Sequence, residues 1–268
     1  MTPVERWLAV LTGEKPDRLP MDYWATGEAT RKLLHHLQCG SEREMFDRLH
    51  IDRVVAVNPA YIGPPPAAGE DLFGCRHQQV DYGSGVYLEC VSNPLAQYDS
   101  VAAIQRHYTW PSSDWYDYSS LEDQVRGWED YPIRGGGSEP FLIYKKLRGQ
   151  EQAFIDLIEH PDIVDYCLDK LFDLAYENTQ RIYEQLPGKV TLSYVAEDLG
   201  AQEGLLFSLQ HIRRFLLPRM QRMVDLAHQA GARVFFHSDG AIREVLPDMI
   251  ALGVDVLNPL QWRCKGME

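Results

Sequence analysis

The stretch that most constrains this chain is Ala232–Gly240, a short apolar run that ends abruptly in His237, Ser238, Asp239 and a glycine. Bounded by Gly231 and Gly240, a run of this length fits a buried parallel strand better than a helix. Thr191–Asp198 ends the same way: Leu192 to Ala196 run into Glu197 and Asp198. In parallel α/β folds, the groups just past a strand's C-terminal end face the ligand crevice. These two endings therefore place their polar groups in one candidate site.

The rest of the chain alternates in the same manner. Thr2 to Leu11 reads as a helix with Thr2 as N-cap, Pro3 at the first helical position and Glu5 completing a capping box. Leu19–Trp24 is the first strand candidate, and Ala29–Leu37 and Glu42–Leu49 are helices. Arg53–Val57 is the second strand, closed by Asn58 and Pro59. From about 60 to 118 the character changes. Pro64-Pro65-Pro66 interrupts any element, and Gln78–Val91 alternates around Gly83-Ser84-Gly85, which predicts a β-hairpin. The aromatic cluster Tyr108, Trp110, Trp115, Tyr116 and Tyr118 is better explained as packing of this long excursion than as a substrate platform.

Pro132–Gly136 is the third strand. The glycines at 135–137 match no phosphate-binding pattern and predict a plain strand-to-helix turn. Pro161–Gln185 is the clearest helix, with Val164, Cys167, Leu168 and Leu171 at helical spacing. Leu209–Ala230 follows the fourth strand, with a bend expected at Pro218. After the strand to His237 come a helix at Ala241–Leu252 and a last strand at Val254–Leu257, ending at Asn258. The pattern predicts one α/β domain over residues 1–268, a TIM (β/α)8-type barrel truncated after about its sixth strand. An unpaired edge there predicts a homo-oligomer.

Composition narrows the class. The 268 residues carry a formal net charge of −13, which argues against nucleic acid or an anionic membrane as partner without identifying the substrate; the expected partner is a small-molecule substrate. Five scattered cysteines without paired spacing predict free thiols, and no segment has the apolar length of a membrane span, so the expected location is the cytoplasm.

His237 and Asp239 are both workable zinc ligands, two residues apart where a strand gives way to a turn. The alternative is acid–base work, with Asp239 orienting His237. Glu197 and Asp198 are adjacent carboxylates on the same side, one of which is expected to hold a proton near neutrality; Glu203 is an alternate. His237, Glu197 and Asp198 are thus the catalytic candidates.

The ordered set Gly13-Glu14-Lys15-Pro16-Asp17-Arg18, Glu197-Asp198-Leu199-Gly200, Phe236-His237-Ser238-Asp239-Gly240 and Gly253–Pro259 resembles the uroporphyrinogen decarboxylase superfamily over nearly the whole chain. The resemblance implies a TIM barrel and either a porphyrinogen decarboxylase or a zinc-dependent methyltransferase that takes methyl groups from a corrinoid protein. It implies substrate contacts at the first and second strand ends, Asp22 and Asn58, and at a tyrosine after Pro140, for which Tyr144 stands nearest. The decarboxylases have an arginine-rich segment after the first strand and an aspartate at the second strand end. This chain has Trp24-Ala25-Thr26-Gly27-Glu28 and Asn58 in those places. In the methyltransferases a His-x-Cys-Gly zinc motif falls on His237-Ser238-Asp239-Gly240, with Asp239 in place of the thiolate. The balance favours a methyltransferase-like enzyme. The decarboxylase and a non-catalytic or incomplete barrel that binds a small molecule stand as alternatives.

Overall fold

Helix formation begins as the capping signals dictate. Thr2 Oγ1 accepts the Glu5 N–H and the Glu5 carboxylate accepts the Thr2 N–H, opening α1 (Pro3–Leu11). Helices α2 (Gly27–Leu37) and α3 (Glu42–Leu49) are likewise opened by side-chain caps from Thr26 and Ser41. The structure, a computed structural model, describes residues 1–83 and 85–268. The hairpin turn expected at Gly83-Ser84-Gly85 therefore lies partly outside the described residues, at Ser84.

Five parallel strands make the main sheet: β1 (Val55–Val57), β2 (Ile133–Ser138), β3 (Leu192–Ala196), β4 (Arg233–His237) and β5 (Val256–Asn258). Their order across the sheet follows their order in the chain. One expectation fails here. Leu19–Trp24 does not form a strand, so the parallel strands number five among the described residues instead of six. The segment runs beside the start of β1, and Asp52 N–H donates to Met21 O (2.6 Å). Carboxylates take the other ladder positions. Asp52 accepts the Met21 N–H and Asp22 accepts the Val54 N–H (3.0 and 3.2 Å). Asp52 is fully buried and also paired with Arg6 and Arg18, so it cannot be released to let a ladder form.

The sheet's two faces differ as alternation requires. Val57, Ile133, Val195, Val234 and Phe236 are buried in the main core with α6 (Pro161–Gln185) and α7 (Leu217–Gln229). Arg134, Tyr194, Phe235 and His237 stand on the opposite face, where their rings and the Trp24 indole meet. Helices α4 (Pro140–Arg148) and α5 (Gln150–Glu159) join β2 to α6.

The glycine run lies inside β2 and is not a turn after it. Gly137 has φ +124°, and a Cβ there would sit 1.8 Å from Tyr194 O. Its N–H donates to Thr179 Oγ1 of α6 (2.9 Å), and the register with β3 shifts between Arg134 and Gly137. The glycines thus allow a bulge gripped between α6 and β3. The helix expected from Leu209 breaks into one α-turn, a π-turn at Ile212–Leu216 and then α7, the irregularity falling just before Pro218, whose missing N–H cannot continue the ladder. Pro247 has a similar effect. A 3₁₀ turn at Arg243–Val245 precedes α8 (Leu246–Leu252).

The excursion holds an antiparallel hairpin, Arg76–Asp81 with Val86–Ser92. Tyr108 donates its hydroxyl to Phe73 O (2.8 Å) and packs edge-on against Trp110, which meets Tyr166 of α6. These rings hold the loop to the core, as their clustering predicts. Among the described residues no helix is long and apolar enough to cross a membrane.

Candidate functional site

The ends of β3, β4 and β5 lie side by side because their registers align: Ala196 with His237, and His237 with Asn258. Register alone therefore sets the His237 ring beside Asn258, and its Nδ1 is 2.9 Å from Asn258 Oδ1. A carboxamide oxygen only accepts, so Nδ1 carries the proton and Nε2 presents its lone pair. That lone pair faces Asp198, with Nε2 3.9 Å from Oδ1, beyond hydrogen-bond reach.

The loops after β3 and β4 are fastened to each other. Leu199 N–H donates to the buried Ser238 Oγ (2.9 Å), and Asp239 N–H to Asp198 Oδ1 (3.1 Å). Gly240, at φ +90°, passes so close that a Cβ would lie 2.4 Å from the Gly200 carbonyl carbon. Gln261 clamps the outer side, donating to Asp239 Oδ1 (2.8 Å) and accepting the Gly240 N–H (2.7 Å). The outcome is a cluster in which Asp198, His237 and Asp239 each offer a ligand atom within 4.8 Å of the others.

This donor set fits a divalent ion of the zinc kind. One imidazole nitrogen and two carboxylate oxygens are ordinary ligands for it, and three protein ligands leave a position open to substrate. Two ligands of one tetrahedral ion, each about 2.1 Å from it, stand roughly 3.4 Å apart. The Nε2–Oδ1 gap is about half an ångström wider. Asn258 supplies the outer hydrogen bond that metal-binding histidines generally have.

Glu197 lies beneath the cluster and not in it. It is fully buried, and Oε1 accepts the Phe141 N–H (2.8 Å) at the start of α4. Burial pushes its carboxyl up to about 8, with the neighbouring Glu139 and Asp198 adding to the effect. Burial thus favours its protonated form, which limits the negative charge collected under Asp198 and Asp239. Glu139 is also raised, by burial and then by Asp198.

The remaining sequence-predicted residues are dispersed. Asp22 lines a cavity on the Tyr194–Phe235 face, but its oxygens are already used by the N–H groups of Tyr23 and Val54 and by Trp24 Nε1. Asn58 borders a different cavity with Gly136, Ser138 and Glu139, its backbone held by Gln124. Tyr144 does not reach a ligand. Its ring is fully buried, and its hydroxyl donates to Asp156 (2.6 Å) in a buried network. Asn258, Gln261, Trp24 and Arg134 were missed. Asn258 carried a usable signal, since it ends the strand next to His237; the other three are placed by contacts distant in sequence.

No family model matches the chain, and no curated protein matches it. Among solved structures it is similar in fold to a methyltransferase from Methanosarcina mazei, at a TM-score of 0.63 and 17% identity over 96% of this chain and 75% of that one. The chain thus has the α/β fold of a methyltransferase structure.

Proposed function

We propose that the protein is a metal-dependent methyltransferase-like enzyme of the uroporphyrinogen decarboxylase superfamily, acting on a small molecule, with zinc held by His237, Asp239 and Asp198. The observation that carries this reading is the convergence of those three residues at the ends of β3 and β4, with His237 Nδ1 bonded to Asn258 and Nε2 turned inward. The in-order parallel sheet supports a barrel-type architecture, because doubly wound sheets reverse their strand order at a switch point. The methyltransferase structure of similar fold is in keeping with methyl transfer, and the sequence resemblance to the superfamily is the ground for proposing a corrinoid protein as methyl-donor partner.

When bound, zinc supplies Lewis-acid chemistry, lowering the pKa of a substrate heteroatom that it touches. The chain's own groups do the rest. Asn258 fixes the His237 tautomer, Gln261 fixes the Asp239 carboxylate, and the Asp239 N–H holds Asp198 in place. Burial of Glu197 disfavours a third negative charge at the base of the site.

Metal analysis of purified protein tests the proposal. Wild type should contain stoichiometric zinc, and His237→Ala should lose it with little change in melting temperature. If His237 were structural, the same change would leave metal content alone and destabilise by about 1–3 kcal/mol. Zinc-free wild type would sink the metal reading.

A second reading, decarboxylation, draws on Glu197, a buried carboxyl held well above the ordinary carboxylate range. Against it stand Asn58, which offers no carboxylate, and its separation from His237. Conversion of uroporphyrinogen to coproporphyrinogen should therefore stay at background; clear turnover would replace the first reading with this one.

A further inference from the structure

The face of the sheet that carries His237 holds a second feature that metal binding does not use. A cavity of about 410 Å³ lies there, lined by Asp22, Trp24, Arg134, Tyr194 and Phe235 among others. The Arg134 guanidinium stands 4.9 Å from the Tyr194 ring centre and 5.9 Å from that of Trp24. Burial acts against its charge, and among the described residues no side chain or carbonyl accepts a hydrogen bond from it. The other charged groups lining this cavity are already engaged. Asp22 accepts from Tyr23, Val54 and Trp24 Nε1, so it anchors the indole and acts on the guanidinium through its charge alone, without a hydrogen bond. Arg53 is paired with Glu42.

The walls are aromatic, Phe235 lying roughly parallel to both Tyr194 and Trp24 while Trp24 and Tyr194 are tilted 50° from each other. Tyr194 and Phe235 are stacked at 6.2 Å, and Trp24 faces Phe235 at 6.2 Å and His237 at 5.9 Å. Trp24 and Tyr194 thus each neighbour both Arg134 and His237.

A planar guanidinium with five donors and no acceptor is matched by a carboxylate, which it can grip with two parallel hydrogen bonds. With a single guanidinium free to donate and the Asp22 charge nearby, the cavity suits a singly charged carboxylate better than a phosphate dianion. The aromatic walls favour a flat ring, and the volume is at the small end of ligand cavities, enough for a single-ring molecule. We propose that Arg134 anchors a binding pocket for a planar ring bearing a carboxylate, the ring held among Trp24, Tyr194 and Phe235 and its far end directed at Asp198, His237 and Asp239. Only that last clause rests on the metal-site reading above.

Calorimetric titration with benzoate tests the pocket. Wild type should bind benzoate at millimolar concentration, and benzyl alcohol and cyclohexanecarboxylate more weakly. Arg134→Met should weaken benzoate about tenfold to a hundredfold, the range expected for lost charge-assisted hydrogen bonds. Arg134→Lys, which keeps the charge without the fork, should fall between and serves as the comparison if the methionine variant does not fold. Trp24→Ala should weaken benzoate more than acetate. No benzoate binding in wild type, equal binding of benzoate and benzyl alcohol, or affinity indifferent to Arg134 would overturn the proposal. Tighter binding of phenyl phosphate than benzoate would overturn the carboxylate assignment. The two readings fail separately. Arg134-dependent benzoate binding in a zinc-free protein sinks the metal alone, while zinc that disappears in His237→Ala alongside Arg134-indifferent binding sinks the pocket alone.

Discussion

Asp156→Asn isolates the buried polar network that joins Tyr144, Arg148 and Gln152. Asp156 is fully buried and receives Arg148 Nε (2.7 Å) and Tyr144 OH (2.6 Å) on Oδ2, and Arg148 Nη2 (3.1 Å) and Gln152 Nε2 (2.8 Å) on Oδ1. Arg148 in turn donates from Nη1 to the carbonyls of Leu95 and Tyr98 (2.6 and 2.7 Å), tying the excursion to α4 and α5. Asparagine keeps the shape and one acceptor oxygen, but sets an NH2 group against two donors and leaves the Arg148 charge buried without a partner. Removing one member of a buried pair costs about 3–5 kcal/mol. At about 2.1 cal/mol/K of unfolding entropy per residue, that is a fall in melting temperature of roughly 5–9 °C for the 268 residues. Urea unfolding followed by circular dichroism gives the free energy directly. A loss under about 1 kcal/mol would refute the reasoning, and would mean that water or a shift of α5 satisfies Arg148. Joint replacement by Arg148→Met and Asp156→Leu should recover part of the loss, because then no unpaired charge remains.

The same carboxylate makes a pH prediction. Burial raises its pKa, but the hydrogen bonds from Arg148, Gln152 and Tyr144 outweigh that and hold it below the ordinary value. Its contribution is therefore complete above the unfolded pKa of about 3.9 and is lost as pH falls through the lower folded value. The urea midpoint of wild type should drop below about pH 4, and this part of the drop should be missing in Asp156→Asn. At the site, Asn258→Ala frees the His237 ring without removing a ligand. Zinc affinity by competition with a chelator should fall about 10–100-fold while the melting temperature stays nearly constant; unchanged affinity would contradict the orienting role. Gly137→Ala puts a methyl group onto Tyr194 O in a backbone conformation that alanine resists, and should cost roughly 3 kcal/mol or more, read as lost soluble expression or a lower melting temperature.

Much of the architecture was legible along the chain because its causes are local. The capping box at Thr2 and Glu5, the helical spacing of Val164, Cys167, Leu168 and Leu171, and the apolar runs before Glu197 and His237 each act within a few residues, and each produced its element. The alternation of strands and helices likewise carried over into a parallel sheet ordered as the chain is. Local pattern misled where a distant partner competed. Leu19–Trp24 has strand composition, yet Asp22 and Asp52 take the hydrogen bonds that a ladder needs. Gly135–Gly137 reads as a turn until Thr179, 42 residues from Gly137, is seen to hold it as a bulge. Tyr144 looks available for a ligand until Asp156 claims its hydroxyl. The candidate site divides along the same line. His237, Asp239 and Asp198 were visible as polar groups at strand ends, because strand direction alone brings such groups to one edge of a sheet. Their separations, the Asn258 bond that sets the histidine's tautomer and the unpaired Arg134 among its aromatic neighbours follow from register between strands. Register is set by packing across the whole sheet, which only the tertiary structure decides.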